Sequence, residues 1–388
     1  MVEDTPGAYL DHAAATTLDP RVRAAMAPFV DAVFGSPESL HDWARRPAEA
    51  LDRARAHVAA LIGADPEGVI FTAGDTEARN LAVKGIVAAN AHRGRHVVTS
   101  AVEHPATLVA CRSLARDRAE LTILGVHASG HIDPVQLAAA IRDDTVLVAI
   151  SHGQAEIGAI QDVAALVATV RARRPDVAIH VDAGVTAGLV PIDVRTWDCD
   201  AVTIGGGSMG GPRWAGALWV REGTRLHPLI EGGLQEGGKR GGAHDMPGIV
   251  GLGEAARLAR AELDVRSAHM SALADRLIER LLAVDDVRLN GPRIGRVPGH
   301  VQVSAGWVEG ETLVLTLASK GVAASPGSAC SAAGKASPVL QAIGLEAPWT
   351  HSAVLFTLAS TTTQAEIDFA AAAFTDAVAS LRAMSPLA

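Results

Sequence analysis

Thr145-Val-Leu-Val-Ala-Ile-Ser151, a helical pattern from Asp162 to Arg173, and Val177-Ala-Ile-His-Val-Asp182 form the passage that decides the fold class. The two apolar runs are rich in β-branched residues, too short for helices and closed by polar residues, and the segment between them repeats its apolar positions at helical spacing. Two strands joined by a helix pair in parallel through a crossover. The same alternation extends upstream: Gly68 to Thr72 precedes a helical pattern from Thr76, Arg95 to Thr99 precedes Pro105 to Arg116, and Leu121 to Val126 precedes Asp133 to Ile141. Downstream, Ala201 to Ile204 and Ala217 to Val220 read as further strands. The expectation is an α/β protein with a mostly parallel central sheet and helices on both faces. Ligands of such sheets gather where strands end and helices begin, which singles out residues 72–76, 99–104, 151–156 and 182–185.

A Gly-rich segment, Glu231 to Gly242, precedes a helical pattern running from Gly248 to Leu282. Beyond it lie strands near Val287 and from Gly299 to Ser304, a helix from Glu309 to Lys320 and a closing helix from Gln364 to Arg382. This predicts a large α/β domain over residues 1–250 and a smaller α+β domain over 251–388, with the N-terminal segment free to pack on the smaller one.

Composition narrows the function classes. Of 388 residues 48% are hydrophobic, enough for a large core, and 34 basic against 43 acidic residues leave a net charge of −9, which attracts neither a phosphate backbone nor an anionic membrane. With aromatics at 3% and a single tyrosine, stacking platforms for bases have little to build on, so nucleic acid is excluded as a principal partner. Three widely spaced cysteines, Cys111, Cys199 and Cys330, form no CxxC pair or disulfide framework. The opening residues Met1 to Gly7 lack a secretory pattern, and no apolar run is long enough for a membrane span, so a cytoplasmic protein is expected.

Candidate chemistry is sparse. Gly205-Gly-Gly-Ser-Met-Gly210 matches G-x-G-x-x-G, but Pro212 and a strand pattern follow where a nucleotide-binding glycine loop must open a helix. His152, His180, His244 and His351 show no metal-ligand spacing, and no metal is expected. Asp182, at the end of a buried strand, is either a structural carboxylate or one that holds a pyridine nitrogen protonated, as pyridoxal phosphate (PLP) chemistry requires. His104, at another strand end, is either a helix-start polar residue or a ring-stacking partner. Cys330 sits in the small-residue loop Ser325-Pro-Gly-Ser-Ala-Cys330, a composition suited to exposing a thiol.

Taken together, Tyr9-Leu-Asp-His-Ala-Ala-Ala-Thr-Thr17, Phe34-Gly-Ser-Pro-Glu-Ser-Leu-His41, Phe71-Thr-Ala-Gly-Asp-Thr-Glu-Ala-Arg-Asn80, Ser100-Ala-Val-Glu-His-Pro105, Glu156-Ile-Gly158, His180-Val-Asp-Ala183, Gly232-Gly-Leu-Gln-Glu236, Pro247-Gly-Ile-Val-Gly251 and Gly327-Ser-Ala-Cys330 closely resemble the cysteine desulfurases of the class V aminotransferase superfamily. These are fold-type I PLP enzymes that move sulfur from cysteine onto their own cysteine. The resemblance covers nearly the whole chain. It implies that His104 stacks on the PLP ring, Asp182 pairs with its nitrogen, Thr76 binds its phosphate and Cys330 is the persulfide-forming nucleophile. It also implies a homodimer.

The departures from that pattern are as informative. The family's Ser-Gly-His-Lys motif reads Gly205-Gly206-Gly207-Ser208, so Ser208 stands at the Schiff-base lysine, and a hydroxyl forms no imine. The chain has four lysines, Lys84, Lys239, Lys320 and Lys335, none adjacent to this motif; Lys239 is the candidate substitute. Gln154-Ala155 replaces Asn-Asn, Val185 replaces a ring-contacting Gln, Ala243 a phosphate-contacting Thr, and Leu355 the Arg expected to clamp a substrate carboxylate. The expectation is a desulfurase-like protein of sulfur metabolism without PLP-dependent desulfuration and with no cofactor. It would relay sulfur through Cys330 between a donor and an acceptor protein, or act as a non-catalytic partner of an active desulfurase paralogue. The alternative is an enzyme using noncovalent PLP or pyridoxamine phosphate, or different chemistry in the same cleft.

Overall fold

The computed structural model describes residues 7–327 and 336–384. Seven strands form the central sheet: β1 (Val69–Thr72), β2 (His96–Ser100), β3 (Glu120–Leu124), β4 (Thr145–Ser151), β5 (Ala178–Asp182), β6 (Ala201–Gly205) and β7 (Gly216–Val220). Their order is β1-β7-β6-β5-β4-β2-β3, and every neighbouring pair is parallel except those made by β7, which runs against both β1 and β6. The sheet is therefore mostly parallel, and β1 still points the same way as β2 to β6.

Period-two alternation within the buried strands explains the layering. In β4, Val148 and Ile150 join a core that includes Val58, Ile62 and Leu252, whereas Leu147 and Ala149 join the opposite core with Ile70, Leu81 and Ile86. Side-chain caps fix where several crossover helices begin: Asp133 accepts from the Val135 amide at 2.8 Å and Asp162 from Ala165 at 3.0 Å.

A second sheet is antiparallel, ordered β10-β9-β8 from β8 (Val287–Leu289), β9 (His300–Ala305) and β10 (Ala353–Thr357). It packs with the helix Gln364–Met384 in a core built on Leu277, Val301, Val303, Phe356 and Phe374, which also takes Ala8 and Leu10 from the start of the chain. The helical pattern that reads as continuous from Gly248 to Leu282 is two helices, Met246–Ala261 and Leu263–Leu282. The break falls at Glu262 (φ −111°, ψ 10°), whose carboxylate is held by Arg21 and Arg266. It lets Leu252 and Ala256 pack against the large sheet while Leu273 and Leu277 pack against the small one.

Among the described residues no helix is long and apolar enough to cross a membrane, and no group of three or more His, Cys, Asp or Glu is arranged to hold a metal ion.

Candidate functional site

The parallel strands β1, β2, β4, β5 and β6 deliver Thr72, Ser100, Ser151, Asp182 and Gly205 to one edge of the sheet. Beside that edge lies a cavity of ≈ 470 Å³ lined by Asp75, Thr76, Arg79, His104, Val185 and Gly205 to Ser208, among others. Two of the residues singled out from sequence, Thr76 and His104, thus line one cavity, and Asp182 lies directly behind it. Cys330 lies outside the described residues.

Asp182 is almost wholly buried and fully engaged. Its Oδ1 accepts from the Gly184 amide at 3.0 Å, and its Oδ2 accepts from Arg79 Nε at 2.6 Å and from the Thr107 hydroxyl at 3.5 Å. Arg79, 1% exposed, comes from the helix Asp75–Asn80 that leaves β1, and its second close charge contact is Nη1 to Asp75 Oδ2 at 2.8 Å. Burial alone would push the Asp182 carboxyl up; the Arg79 guanidinium outweighs it and holds it well below the ordinary carboxylate range. Burial works against the Arg79 charge too, and the two carboxylates keep it protonated.

His104 caps the helix Pro105–Ser113, its Nδ1 accepting from the Ala106 amide at 3.1 Å, which places the ring proton on Nε2. Burial, helped by Arg79, lowers its pKa, so the neutral ring prevails. At the end of β2, Glu103 is buried and accepts from the hydroxyls of Ser100 (2.6 Å) and Ser151 (2.5 Å). Burial moves its pKa from 4.5 to about 7 despite those bonds.

The other positions that depart from the desulfurase pattern are equally well placed. Ser208 donates to the Ala187 carbonyl at 2.8 Å. Gln154 turns its carbonyl oxygen to the amides of Glu156 (2.6 Å) and Ile157 (2.7 Å), while Ala155 and Val185 face the cavity. Leu355 is buried in β10 opposite Gln302. Ala243 borders a separate, smaller cavity. Lys84, Lys239 and Lys320 do not line the strand-end cavity, and Lys335 lies outside the described residues. After β6 the glycine run continues into a single tight turn, Gly207–Met209, and then β7, so it opens no helix and offers no nucleotide cradle.

These side chains do not fit PLP. The carboxylate that would hold a ring nitrogen already holds a guanidinium, the hydroxyl at the lysine position is turned to a carbonyl, and the first turn of the helix beside Thr76 carries the Asp75 carboxylate where a phosphate would need positive charge.

Sequence reasoning missed Asp75 and Arg79. A signal was present: Arg79 falls in the run Ala78-Arg-Asn-Leu-Ala-Val83, otherwise almost entirely buried and apolar, with an acid four residues before it, the spacing of a helical ion pair.

The site and sheet define the class: a fold-type I PLP-enzyme fold. The aminotransferase class-V family profile matches residues 8–369. Cysteine desulfurase IscS of Dictyoglomus turgidum is 39% identical over 380 residues, covering 97% of this chain and 96% of that protein. Cysteine desulfurase IscS of a Shewanella species (strain ANA-3) is 42% identical over 385 residues, 98% of this chain and 94% of that protein. A solved NifS-like protein superposes with a TM-score of 0.90 at 28% identity over 95% of this chain and 98% of its own. The chain belongs to the class-V aminotransferase family and, within it, to the cysteine desulfurase family.

Two predictions arise from this geometry. A Cβ added at Gly184 would lie 2.4 Å from Arg79 Nη2, which its carboxylates hold in place. Gly184→Ala is expected to lower stability by about 1–3 kcal/mol in urea unfolding, and by less when Arg79 is already alanine. The second concerns pH. Unfolded Glu103 loses its proton near 4.5 and folded Glu103 near 7, so within that window the folded state binds more protons and stability falls as pH rises. Glu103→Gln is expected to flatten this slope in urea midpoints measured across the window; an unchanged slope would contradict the assignment.

Proposed function

We propose that this protein is a desulfurase-family member that works without PLP and relays sulfane sulfur through Cys330. The observation that carries the first half is the Asp182–Arg79 ion pair, which uses the carboxylate that a ring nitrogen would require. Ser208, hydrogen-bonded to the Ala187 carbonyl, supports it.

The relay half rests on the chemistry of the three thiols. Cys111 and Cys199 are buried, and burial pushes both thiols up to about 12, so neither presents a thiolate at neutral pH. Thiolate chemistry therefore falls to Cys330. In the transfer, the Cys330 thiolate attacks the outer sulfur of a donor persulfide; a new S–S bond forms at Cys330, the donor's S–S bond breaks, and the donor leaves as a thiolate. No external oxidant or reductant is consumed, and the reverse exchange onto an acceptor thiol completes the relay.

The test is incubation with glutathione persulfide followed by peptide mass mapping. One added sulfur atom on the Cys330 peptide, lost on adding an acceptor thiol and absent from Cys330→Ser, is the expected result. An unmodified Cys330, or equal labelling of Cys330→Ser, would overturn the relay.

A further inference from the structure

We infer that Arg79 is a built-in occupant of the ring-binding part of this cleft, and that this occupancy, rather than the missing lysine, is what closes the cleft to a pyridinium ring. The inference does not depend on the Cys330 relay.

Four positions far apart in the chain fit only as a set. Asp75 and Arg79 bring two large charged side chains into the strand-end crevice, and Gly184 and Gly205 are where the room for them comes from. A Cβ at Gly184 would stand 2.4 Å from Arg79 Nη2, 3.1 Å from Asp182 Oδ1 and 3.3 Å from Asp75 Oδ2; one at Gly205 would stand 3.3 Å from both Cβ and Oδ2 of Asp75. The guanidinium is sealed in, with only 1% of its side chain exposed, and bridges Asp182 at 2.6 Å and Asp75 at 2.8 Å. Bulk gained at two positions is matched by bulk absent at the other two.

The electrostatics point the same way. Asp182 already receives three hydrogen bonds, from Gly184, Arg79 and Thr107. A protonated ring nitrogen seeking this carboxylate would have to evict a buried guanidinium from two carboxylates at once, and charged hydrogen bonds in a low-dielectric interior are the costly ones to break. Ser208 makes none of these contacts, its hydroxyl bonding instead to the Ala187 carbonyl, so an amine restored there leaves the ion pairs in place.

The experiment compares Ser208→Lys with Ser208→Lys/Arg79→Ala, each titrated with PLP and followed by visible absorbance, borohydride trapping and thermal unfolding. Ser208→Lys alone is expected to show no visible band and no PLP-dependent rise in melting temperature. The double variant is expected to gain both, with an apparent affinity for PLP about 100-fold or more above that of the single variant. Should the double variant fail to fold, Ser208→Lys/Arg79→Asn, whose side chain is uncharged and too short to fill the space the guanidinium takes, is read in its place. A band in Ser208→Lys alone would overturn the inference, because Arg79 would then be no barrier. A folded Arg79 variant that still takes no PLP would also overturn it, by placing the barrier elsewhere.

Discussion

Arg79→Ala is expected to lower the free energy of unfolding by about 3–5 kcal/mol, because it leaves Asp182 buried without its cation. The penalty carries a pH signature. With Arg79 present, the Asp182 carboxyl sits below its unfolded range, so its contribution is intact above that range and is lost only as the pH falls through the lowered value. Without Arg79, Asp182 keeps the Gly184 and Thr107 hydrogen bonds but loses its strongest counter to burial, which favours the neutral form, so the variant's deficit shrinks in mild acid and grows in mild alkali. Arg79→Ala/Asp182→Asn is expected to be more stable than Arg79→Ala at neutral pH, since an amide carries no charge to strand. Urea unfolding of the wild type and these variants measures both effects. A double variant no better than Arg79→Ala would mean that the cavity, and not the lone charge, sets the cost.

The second large effect is expected at Glu236, which ties the glycine-rich loop to the edge of the sheet. Its side chain is 1% exposed and accepts from Arg55 Nη1 (2.9 Å), Arg55 Nη2 (2.8 Å) and the Phe71 amide (2.8 Å), with His244 Nε2 also at 2.8 Å. Burial would raise its pKa, but the hydrogen bonds from Arg55 and His244 win and hold it at about 2. The stabilisation is therefore complete above the ordinary glutamate range and is lost only as the pH falls toward 2. Glu236→Ala leaves the Phe71 amide without its acceptor and takes the carboxylate from Arg55, which keeps only its bond to the Val69 carbonyl and its place over the Phe71 ring, and about 3 kcal/mol of stability is expected to go with it. Hydrogen exchange at the Phe71 amide, faster in the variant than elsewhere in β1, would locate the loss; unchanged protection there would contradict the assigned contact.

The sheet was readable because its signal is redundant. Most of the buried strands are short β-branched runs, several crossover helices open on a recognisable cap such as Asp133 or Asp162, and the differences fall at element ends by one to three residues. The break at Glu262 was not readable: both flanking helices keep apolar spacing, Glu262 pairs with Arg266 at ordinary helical spacing, and its other partner, Arg21, is 241 positions away.

The site was half readable for a similar reason. Asp182, His104 and Thr76 stand out as polar residues at strand ends, and Ser208 stands out against a motif. The partner of Asp182 is 103 positions away and looks, in sequence, like an ordinary helical arginine. Its meaning appears only when Gly184 is seen to leave room for it and Gly205 for its second carboxylate, Asp75. Two departures read separately from sequence, Gly205 and Ser208, thereby acquire different meanings on the proposed reading: the first leaves room for Asp75, and the second puts a hydroxyl where the resemblance expects an amine.

The measurement that bears most directly on this account is the visible absorbance spectrum of the purified protein with excess PLP, before and after borohydride, with peptide mapping of any adduct. The account predicts no PLP-dependent band, no trapped lysine and no change in melting temperature. A band that borohydride fixes onto a defined lysine, Lys239 for instance, would contradict it and make the protein a PLP enzyme with a relocated amine.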